Sequence, residues 1–175
     1  RASYFRPELL TSLRILEHRD VLAGQMTGSY AGAMGQPQFM PSSYLRYAVD
    51  FDGDGRRDIW ASRPDTLASI ANYLQSAGWR PNEPWGQPIL LPAGFDAGLA
   101  GRERRRSLGD WMAIGVRRSD GTRFGRSDVP GAVVLPDGPG GEAFMVYANF
   151  TAIRRYNPSD YYALAVGLLG ETVAA

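Results

Sequence analysis

The sequence predicts an α+β fold that is dominated by helices and carries a small β-hairpin and an irregular middle lobe. Residues 7–18 and 65–78 place apolar side chains at helical spacing. Residues 131–150 instead contain two apolar runs joined by Pro, Asp and Gly, which is the pattern of a hairpin. Between residues 80 and 130 the periodicity weakens. A chain of 175 residues with 44% hydrophobic content is long enough for one core with a smaller lobe.

The first helix is expected over residues 7–18, because Pro7 suits a first helical turn and leucines recur near helical spacing after it. These leucines are Leu9, Leu10, Leu13, Leu16 and Leu22. Residues 24–40 follow as a loop, since they contain too many glycines for one helix interior.

Two further helices follow this loop. Pro41 can start a short one, and the string "DTLASIANYLQSAGW" predicts a longer one. Asp65 or Thr66 is expected to cap the longer helix, and Gly78 to end it.

The C-terminal half is predicted to continue with short elements. "SLGDWMAIGV" suggests a short helix, and after the hairpin "TAIRRYN" suggests another, followed by a last helix capped by Ser159. Residues 1–79 and 131–175 are therefore expected to form the main core, and residues 80–130 a smaller lobe or insertion.

Composition excludes several classes of function. A net charge of +1 from 19 basic and 18 acidic residues gives no electrostatic footprint for nucleic acid, and the basic run 102–106 is expected to be a solvated loop. With no cysteine and His18 as the one histidine, thiolate chemistry is excluded, and zinc sites and histidine-based triads are disfavoured. No apolar run reaches the roughly 18 residues that a transmembrane helix needs.

An aspartate cluster predicts a cation site. Asp50, Asp52 and Asp54 alternate around glycines, so their carboxylates can converge on one hard cation. The pattern is similar to the opening of an EF-hand loop, with the carbonyl of Arg56 at the seventh position. The twelfth position is Ala, and Asp65 could supply the closing carboxylate instead. Calcium with a structural role is favoured over magnesium and over a surface turn in which the aspartates cap local amides.

The preceding string, "GSYAGAMGQPQFMPSS" at 28–43, contains no charged residue. Neutral hydrogen-bonding groups such as Ser29, Tyr30 and Gln38 alternate there with apolar side chains such as Met34. Such a mixture suits the hydroxyl edges and apolar faces of a sugar, although a buried connecting loop is the commoner explanation of the composition alone.

The literal strings carry a resemblance. "GSYAGAMGQPQFMPSSY" followed by "YAVDFDGDG", together with "SIANYLQSAGW" and "FMVYANFTAIRRYNPSDYYALAVGLL", resembles the membrane-bound lytic murein transglycosylase B family. The resemblance implies a lysozyme-like α+β fold and non-hydrolytic cleavage of peptidoglycan between N-acetylmuramic acid and N-acetylglucosamine, leaving a 1,6-anhydro product. One glutamic acid is implied as acid and then as base.

The same resemblance assigns roles to residues. It implies that Ser29 hydrogen-bonds the catalytic glutamate or the sugar beside it, and that Gln38, Tyr156 and Asn157 contact the glycan. From the composition of the loop, Tyr30 and Met34 are expected to bind substrate as well. It implies Ca²⁺ ligands at Asp50, Asp52, Asp54 and Asp65, with Arg56 as a backbone ligand. Segments 28–43 and 154–159 are expected to line one groove.

The catalytic glutamate implied by the family has no counterpart in this chain. Only Glu8 and Glu17 precede Ser29, and both are expected to be exposed carboxylates of a surface helix. The acid is therefore expected upstream of Arg1, in an N-terminal fragment of the same polypeptide. The alternatives are a non-catalytic peptidoglycan-binding module and a calcium-braced interaction domain. The resemblance also implies a periplasmic protein, either soluble or an outer-membrane lipoprotein.

Overall fold

The computed structural model describes residues 2–174, which contain both helices and strands. The elements in chain order are α1 (Ala2–Glu17), α2 (Pro41–Tyr47), α3 (Arg63–Ser76), β1 (Gly86–Leu90), β2 (Arg106–Ser107), α4 (Leu108–Ala113), β3 (Arg117–Arg118), β4 (Pro130–Val134), β5 (Ala143–Val146), α5 (Ala148–Tyr156) and α6 (Asp160–Ala174). The predicted helix-dominated α+β class is confirmed. The chain forms two compact units, Arg1–Ser76 and Ala77–Ala175, and each is described by itself.

Helix α1 begins five residues before the predicted start and contains Pro7 within it. Ile15 is its buried residue. Three of the leucines at helical spacing are more than half exposed within the described part of the chain, namely Leu9, Leu10 and Leu13. The spacing predicted a helix correctly, but spacing alone does not show whether the apolar face of that helix is covered.

Helix α2 begins at Pro41 as predicted. Helix α3 begins at Arg63, so neither Asp65 nor Thr66 caps it. Ser62 takes that place, since its hydroxyl accepts a hydrogen bond from the Asp65 amide at 3.3 Å and its carbonyl accepts one from the Thr66 amide at 3.1 Å. The Asp65 carboxylate is thereby left available for other partners.

The second unit is built on an antiparallel sheet with the strand order β2-β4-β5-β1-β3. The predicted hairpin is confirmed as β4 and β5, with Val133 opposite Met145 and Val134 opposite Phe144. Strands β1, β2 and β3 come from residues 80–130, which were expected to be an irregular lobe. Both β2 and β3 have only two residues, too few for a periodic pattern to show in the sequence.

The β4–β5 hairpin is buried on both faces because alternate residues point to opposite sides. One side packs Val133 and Met145 against Trp111 and Met112 of α4. The other side packs Val134 and Phe144 with apolar residues of α5 and α6, namely Phe150, Ile153, Ala163 and Leu164. The hairpin is therefore the centre of the second unit.

Helices α5 and α6 close this unit. Helix α5 begins at Ala148, three residues before the predicted helix, and α6 begins directly after Ser159. The predicted Ser159 cap is present, since its hydroxyl accepts the Tyr162 amide at 3.3 Å. Among residues 2–174, no helix is both long enough and apolar enough to cross a membrane.

Candidate functional site

The uncharged loop of the first unit is a small, tightly bonded ladder. Met34 forms β-bridges with both Gly28 and Phe39. The amides of Met34 and Phe39 donate to each other's carbonyls at 2.7 and 3.1 Å. Ser29 closes the near end, because its amide donates to the Ala33 carbonyl at 2.8 Å. A stretch with the composition of a plain connecting loop therefore has a defined conformation.

The segment 59–60 holds this ladder from one side. The Gln36 amide donates to the Ile59 carbonyl at 2.9 Å, and the Gln36 side chain donates to the Trp60 carbonyl at 2.9 Å. Gly35 permits this approach, since a Cβ there would lie 2.6 Å from the Ile59 carbonyl oxygen and the backbone has φ of +60°. The glycine is required both by the conformation and by the contact.

The residues of this loop that are predicted to bind a saccharide differ in their exposure to solvent. Ser29, Tyr30 and Gln38 are exposed, and Tyr30 is fully so. Met34 is only 5% exposed, so its side chain packs inside the unit rather than forming an open surface. Its position at the middle of the ladder explains this burial. The exposed members present hydroxyl, phenol and amide groups.

Two more predicted residues, Tyr156 and Asn157, lie at the end of α5 in the second unit. Asn157 follows the last residue of α5, and its side-chain oxygen accepts the Ser159 amide at 3.1 Å. The ring of Tyr156 is stacked on that of Tyr162, with centroids 6.5 Å apart and planes 12° apart. The sequence reasoning missed Tyr162, although two tyrosines six residues apart flank a helix start there.

Three carboxylates converge in the first unit. Asp50, Asp52 and Asp65 each offer an oxygen, and these oxygens lie within 4.8 Å of one another. Asp65 is fully buried, and its two oxygens accept the amides of Phe51 at 2.8 Å and Asp58 at 2.9 Å. Three close carboxylates form a hard oxygen donor set of the type that suits a calcium ion.

Asp54, a further predicted ligand, is not one of these three carboxylates, and its role as a ligand stays a prediction. Its carboxylate accepts both the Arg56 amide at 2.9 Å and the Arg56 guanidinium at 3.0 Å. These hydrogen bonds from Arg56 lower the pKa of Asp54. The alternating spacing was the same for all members of the cluster, but an arginine two residues away provides a competing partner.

A buried network fixes the loop that carries the cluster. Arg57 forms an ion pair with Asp20 at 2.6 Å, and its carbonyl accepts the Tyr44 hydroxyl at 2.7 Å. Burial, reinforced by the Asp20 carboxylate, raises the pKa of Tyr44 far above its ordinary value. The hydroxyl therefore stays protonated and keeps donating to the loop.

The two glutamates before Ser29 differ in their surroundings. Glu17 is exposed, as expected. Glu8 is half-buried, and both of its carboxylate oxygens accept hydrogen bonds from Ser42 in the first turn of α2. The residue before α2, Met40, supplies no side-chain cap, so Glu8 takes that role from another helix. The expectation of a simple surface carboxylate is corrected for Glu8.

Comparison with known proteins places these features in a family. The model of the family "Transglycosylase SLT domain" matches residues 1–171. The membrane-bound lytic murein transglycosylase B of Escherichia coli (strain K12) is 37% identical over 175 residues, which cover 99% of this chain and 47% of that protein.

Solved structures agree with this result. SltB3 from Pseudomonas aeruginosa, in complex with NAG-anhNAM-pentapeptide, matches with a TM-score of 0.94 and 51% identity, covering 98% of this chain and 47% of that chain. The Escherichia coli lytic transglycosylase SLT35, in complex with calcium, matches with a TM-score of 0.82 and 36% identity, covering 99% of this chain and 54% of that chain. The present chain thus spans about half the length of these proteins.

Proposed function

Because the chain belongs to the Transglycosylase SLT domain family and shares its lysozyme-like α+β fold, we propose that it is part of a peptidoglycan lytic transglycosylase. The reaction is non-hydrolytic. A glutamic acid protonates the oxygen between N-acetylmuramic acid and N-acetylglucosamine, and the muramyl 6-hydroxyl attacks the anomeric carbon. The glutamate takes up the hydroxyl proton, and a 1,6-anhydro end is formed.

The observation that carries this proposal is the ordered, uncharged loop at 28–43. Its exposed groups, Ser29, Tyr30 and Gln38, are neutral and suit a glycan without a net charge on its rings. Met34 acts in the interior of the loop as a support. Tyr156 and Asn157 are proposed as further glycan contacts, and Tyr162, which stacks on Tyr156 and is partly exposed, is proposed to add to them.

The general acid is proposed to come from a segment of the same polypeptide outside these residues. Two observations support this. Glu8 is occupied as the cap of α2, and the leucines of α1 present an apolar surface that another part of a longer protein could cover. The related proteins are about twice as long as this chain, which leaves room for such a segment.

The cation is proposed to be Ca²⁺, held by Asp50, Asp52 and Asp65, with the Arg56 carbonyl as an additional ligand. It would supply structural bracing to the loop that precedes α3, and no step of the reaction is assigned to it. A periplasmic location, in soluble or lipid-anchored form, follows from the proposed substrate.

Digestion of purified sacculi tests the proposal. The full-length protein should release 1,6-anhydromuropeptides, detected by mass spectrometry, and the isolated 175-residue chain should release none. Release of reducing-end products instead would identify a hydrolase. One observation favours a second function, glycan binding without cleavage. Of the two glutamates before Ser29, Glu8 caps α2 and Glu17 is exposed to solvent. Binding to sacculi without any release by the full-length protein would support that alternative.

A further inference from the structure

A cavity of about 480 Å³ in the second unit shares no lining residue with the loop or the aspartate cluster. It is bordered by the N-terminal end of α5, at Tyr147 and Ala148, and by the segments around residues 80–84 and 126–130. Its apolar wall consists of Pro84, Leu108, Val129 and Pro130. The proposed transglycosylase reaction makes no use of it.

The charged groups around this cavity are not balanced. Three arginines and two carboxylates line it. Arg126 pairs with Asp128 through two contacts, at 2.5 and 3.1 Å. Arg80 pairs with Glu83 at 3.5 Å. One guanidinium, that of Arg105, is left over.

Arg105 is held in place by neutral oxygens. Its guanidinium donates to the Thr151 hydroxyl at 2.9 Å and to the Tyr147 carbonyl at 3.4 Å, both of which belong to α5 or its N-cap. Among residues 2–174 it has no carboxylate within salt-bridge distance. A guanidinium has five N–H donors. Arg105 uses only part of them on these two neutral oxygens, so the others are available to an anion.

The segment that carries Arg80 and Glu83 is fixed as well. The buried side chain of Asn149 accepts the Arg80 amide at 2.7 Å and donates to the carbonyls of Arg80 and Glu83 at 2.9 and 2.6 Å. Helix α5 thus anchors both sides of the cavity. Its first turn contains no acidic residue and Tyr147 gives no side-chain cap, so nothing there opposes a bound negative charge.

We propose that this cavity, which we call the Arg105 pocket, binds one carboxylate that carries a small apolar substituent. A single negative charge neutralises the remaining positive charge, and a planar carboxylate fits the fork of a guanidinium. The wall of Pro84, Leu108, Val129 and Pro130 accommodates the substituent. The carboxylate could be the free end of a peptide or a small free acid. That it belongs to the peptide of a muropeptide rests on the proposed function, whereas the preference for a carboxylate does not.

The test is an NMR titration of amide shifts in the purified protein. The probes are N-acetylalanylalanine in its L,L and D,D forms, the corresponding C-terminal amides, acetate and inorganic phosphate. We expect the acids to shift the Ala148 and Val129 signals and the amides to bind about tenfold more weakly or worse, as for loss of a charge-assisted hydrogen bond. Equal binding by acid and amide, or no shift at these residues, would overturn the proposal, as would phosphate binding more tightly than every carboxylate.

Substitutions at two arginines provide a second test of the Arg105 pocket. Arg105→Gln should weaken N-acetylalanylalanine about tenfold or more. Arg104→Gln is the matched control, since Arg104 carries the same charge, is exposed and does not line the cavity. If Arg105→Gln does not fold, the comparison of acid with amide on the unaltered protein still decides. Acetate binding as tightly as the dipeptide acid would support the pocket and assign it to a small free acid. Sacculus digestion is measured separately, so failure of one proposal is distinguishable from failure of the other.

Discussion

The carboxylate of Glu8 bridges two helices, since its Oε2 accepts the Ser42 amide at 2.9 Å and its Oε1 accepts the Ser42 hydroxyl at 2.7 Å. The first glutamate of the chain is thereby used to hold α1 against the start of α2. A carboxylate engaged in this way satisfies exposed amide groups at a helix N-terminus. This relationship separates a structural glutamate from a catalytic one.

Glu8→Gln should therefore lower stability without abolishing glycan cleavage. It keeps the shape of the side chain but removes its charge from the helix N-terminus, for a loss of about 1 kcal/mol. The thermal midpoint should fall by a few degrees, while anhydromuropeptide release per folded molecule of the full-length protein stays the same. Glu17→Gln, at an exposed position, is the control and should change neither. A folded Glu8→Gln protein without activity would show that Glu8 is the acid.

Calcium should raise the thermal midpoint, because an ion that binds only the folded state stabilises it, by about 2.7 kcal/mol at one hundred times its dissociation constant. Asp52→Asn should remove this increment, since Asp52 is one of the three converging carboxylates. Asp54→Asn, in the same turn but paired with Arg56, should retain it. Equal loss of the calcium-dependent increment in both variants would show that Asp54 is a ligand. A thermal midpoint that does not respond to a chelator would contradict the calcium site.

Gly35→Ala should destabilise the first unit by about 2 kcal/mol or more, because the added Cβ meets the Ile59 carbonyl oxygen and the backbone has positive φ. Denaturant unfolding measures the change. Gly24→Ala is the matched control, since a Cβ at Gly24 meets nothing within 4 Å. If the two variants unfold alike, the close approach of the loop to Ile59 is not as described.

Tyr44 should make stability fall at alkaline pH. Burial raises the pKa of Tyr44 above its ordinary value of 10.0, so the folded state holds the proton after the unfolded state has lost it. The contribution is complete below pH 10 and is lost as pH rises beyond that value. Tyr44→Phe should reduce this alkaline loss and lower stability at pH 7 by about 1 kcal/mol through the missing hydrogen bond to Arg57.

Urea unfolding between pH 7 and pH 11 measures both effects. The control is Tyr30→Phe, since Tyr30 is fully exposed. An identical alkaline decline in Tyr44→Phe and the unaltered protein would contradict the assignment.

Tyr30→Ala should weaken glycan binding by roughly twofold to tenfold, as for loss of an aromatic contact, and leave the thermal midpoint unchanged because the side chain is exposed. Tyr30→Phe keeps the ring and should retain most of the affinity. Calorimetric titration with chitooligosaccharides gives the affinities. Undiminished binding by Tyr30→Ala would remove this residue from the proposed surface.

The elements that the sequence predicted well are those whose signal is local. The β4–β5 hairpin follows from two apolar runs around a turn, and α2 from Pro41 at its start. The cap of α3 was misplaced by three residues because Asp65, Thr66 and Ser62 are all capable caps, and the choice depends on Asp65 being drawn into the loop. The burial of Met34 and the pairing of Asp54 with Arg56 were likewise not visible in the sequence, since these contacts are set by folding.

Tertiary pairing also explains the remaining differences. The basic run 102–106 is exposed, as expected, but the sequence does not show that Arg105 donates to α5 or that the Arg106 guanidinium lies 5.5 Å from the centre of the Trp111 ring. Residues 80–130 have weak periodicity because their strands are short and obtain order from the hairpin beside them. Neither feature leaves a repeating pattern in the sequence.

The burial of both faces of the β4–β5 hairpin has a consequence for how its strands find their alignment. In a sheet with one face exposed to solvent, a register shift of one residue exposes apolar side chains to water and is therefore unfavourable. Here a slipped strand would still meet apolar surroundings on either side, so shape has to enforce the correct pairing. Gly131 provides such a check, because a Cβ there would lie 2.5 Å from the sulfur of Met145. Accurate pairing of this hairpin therefore depends on the absence of a methyl group at Gly131, beside the bulky side chain of Met145.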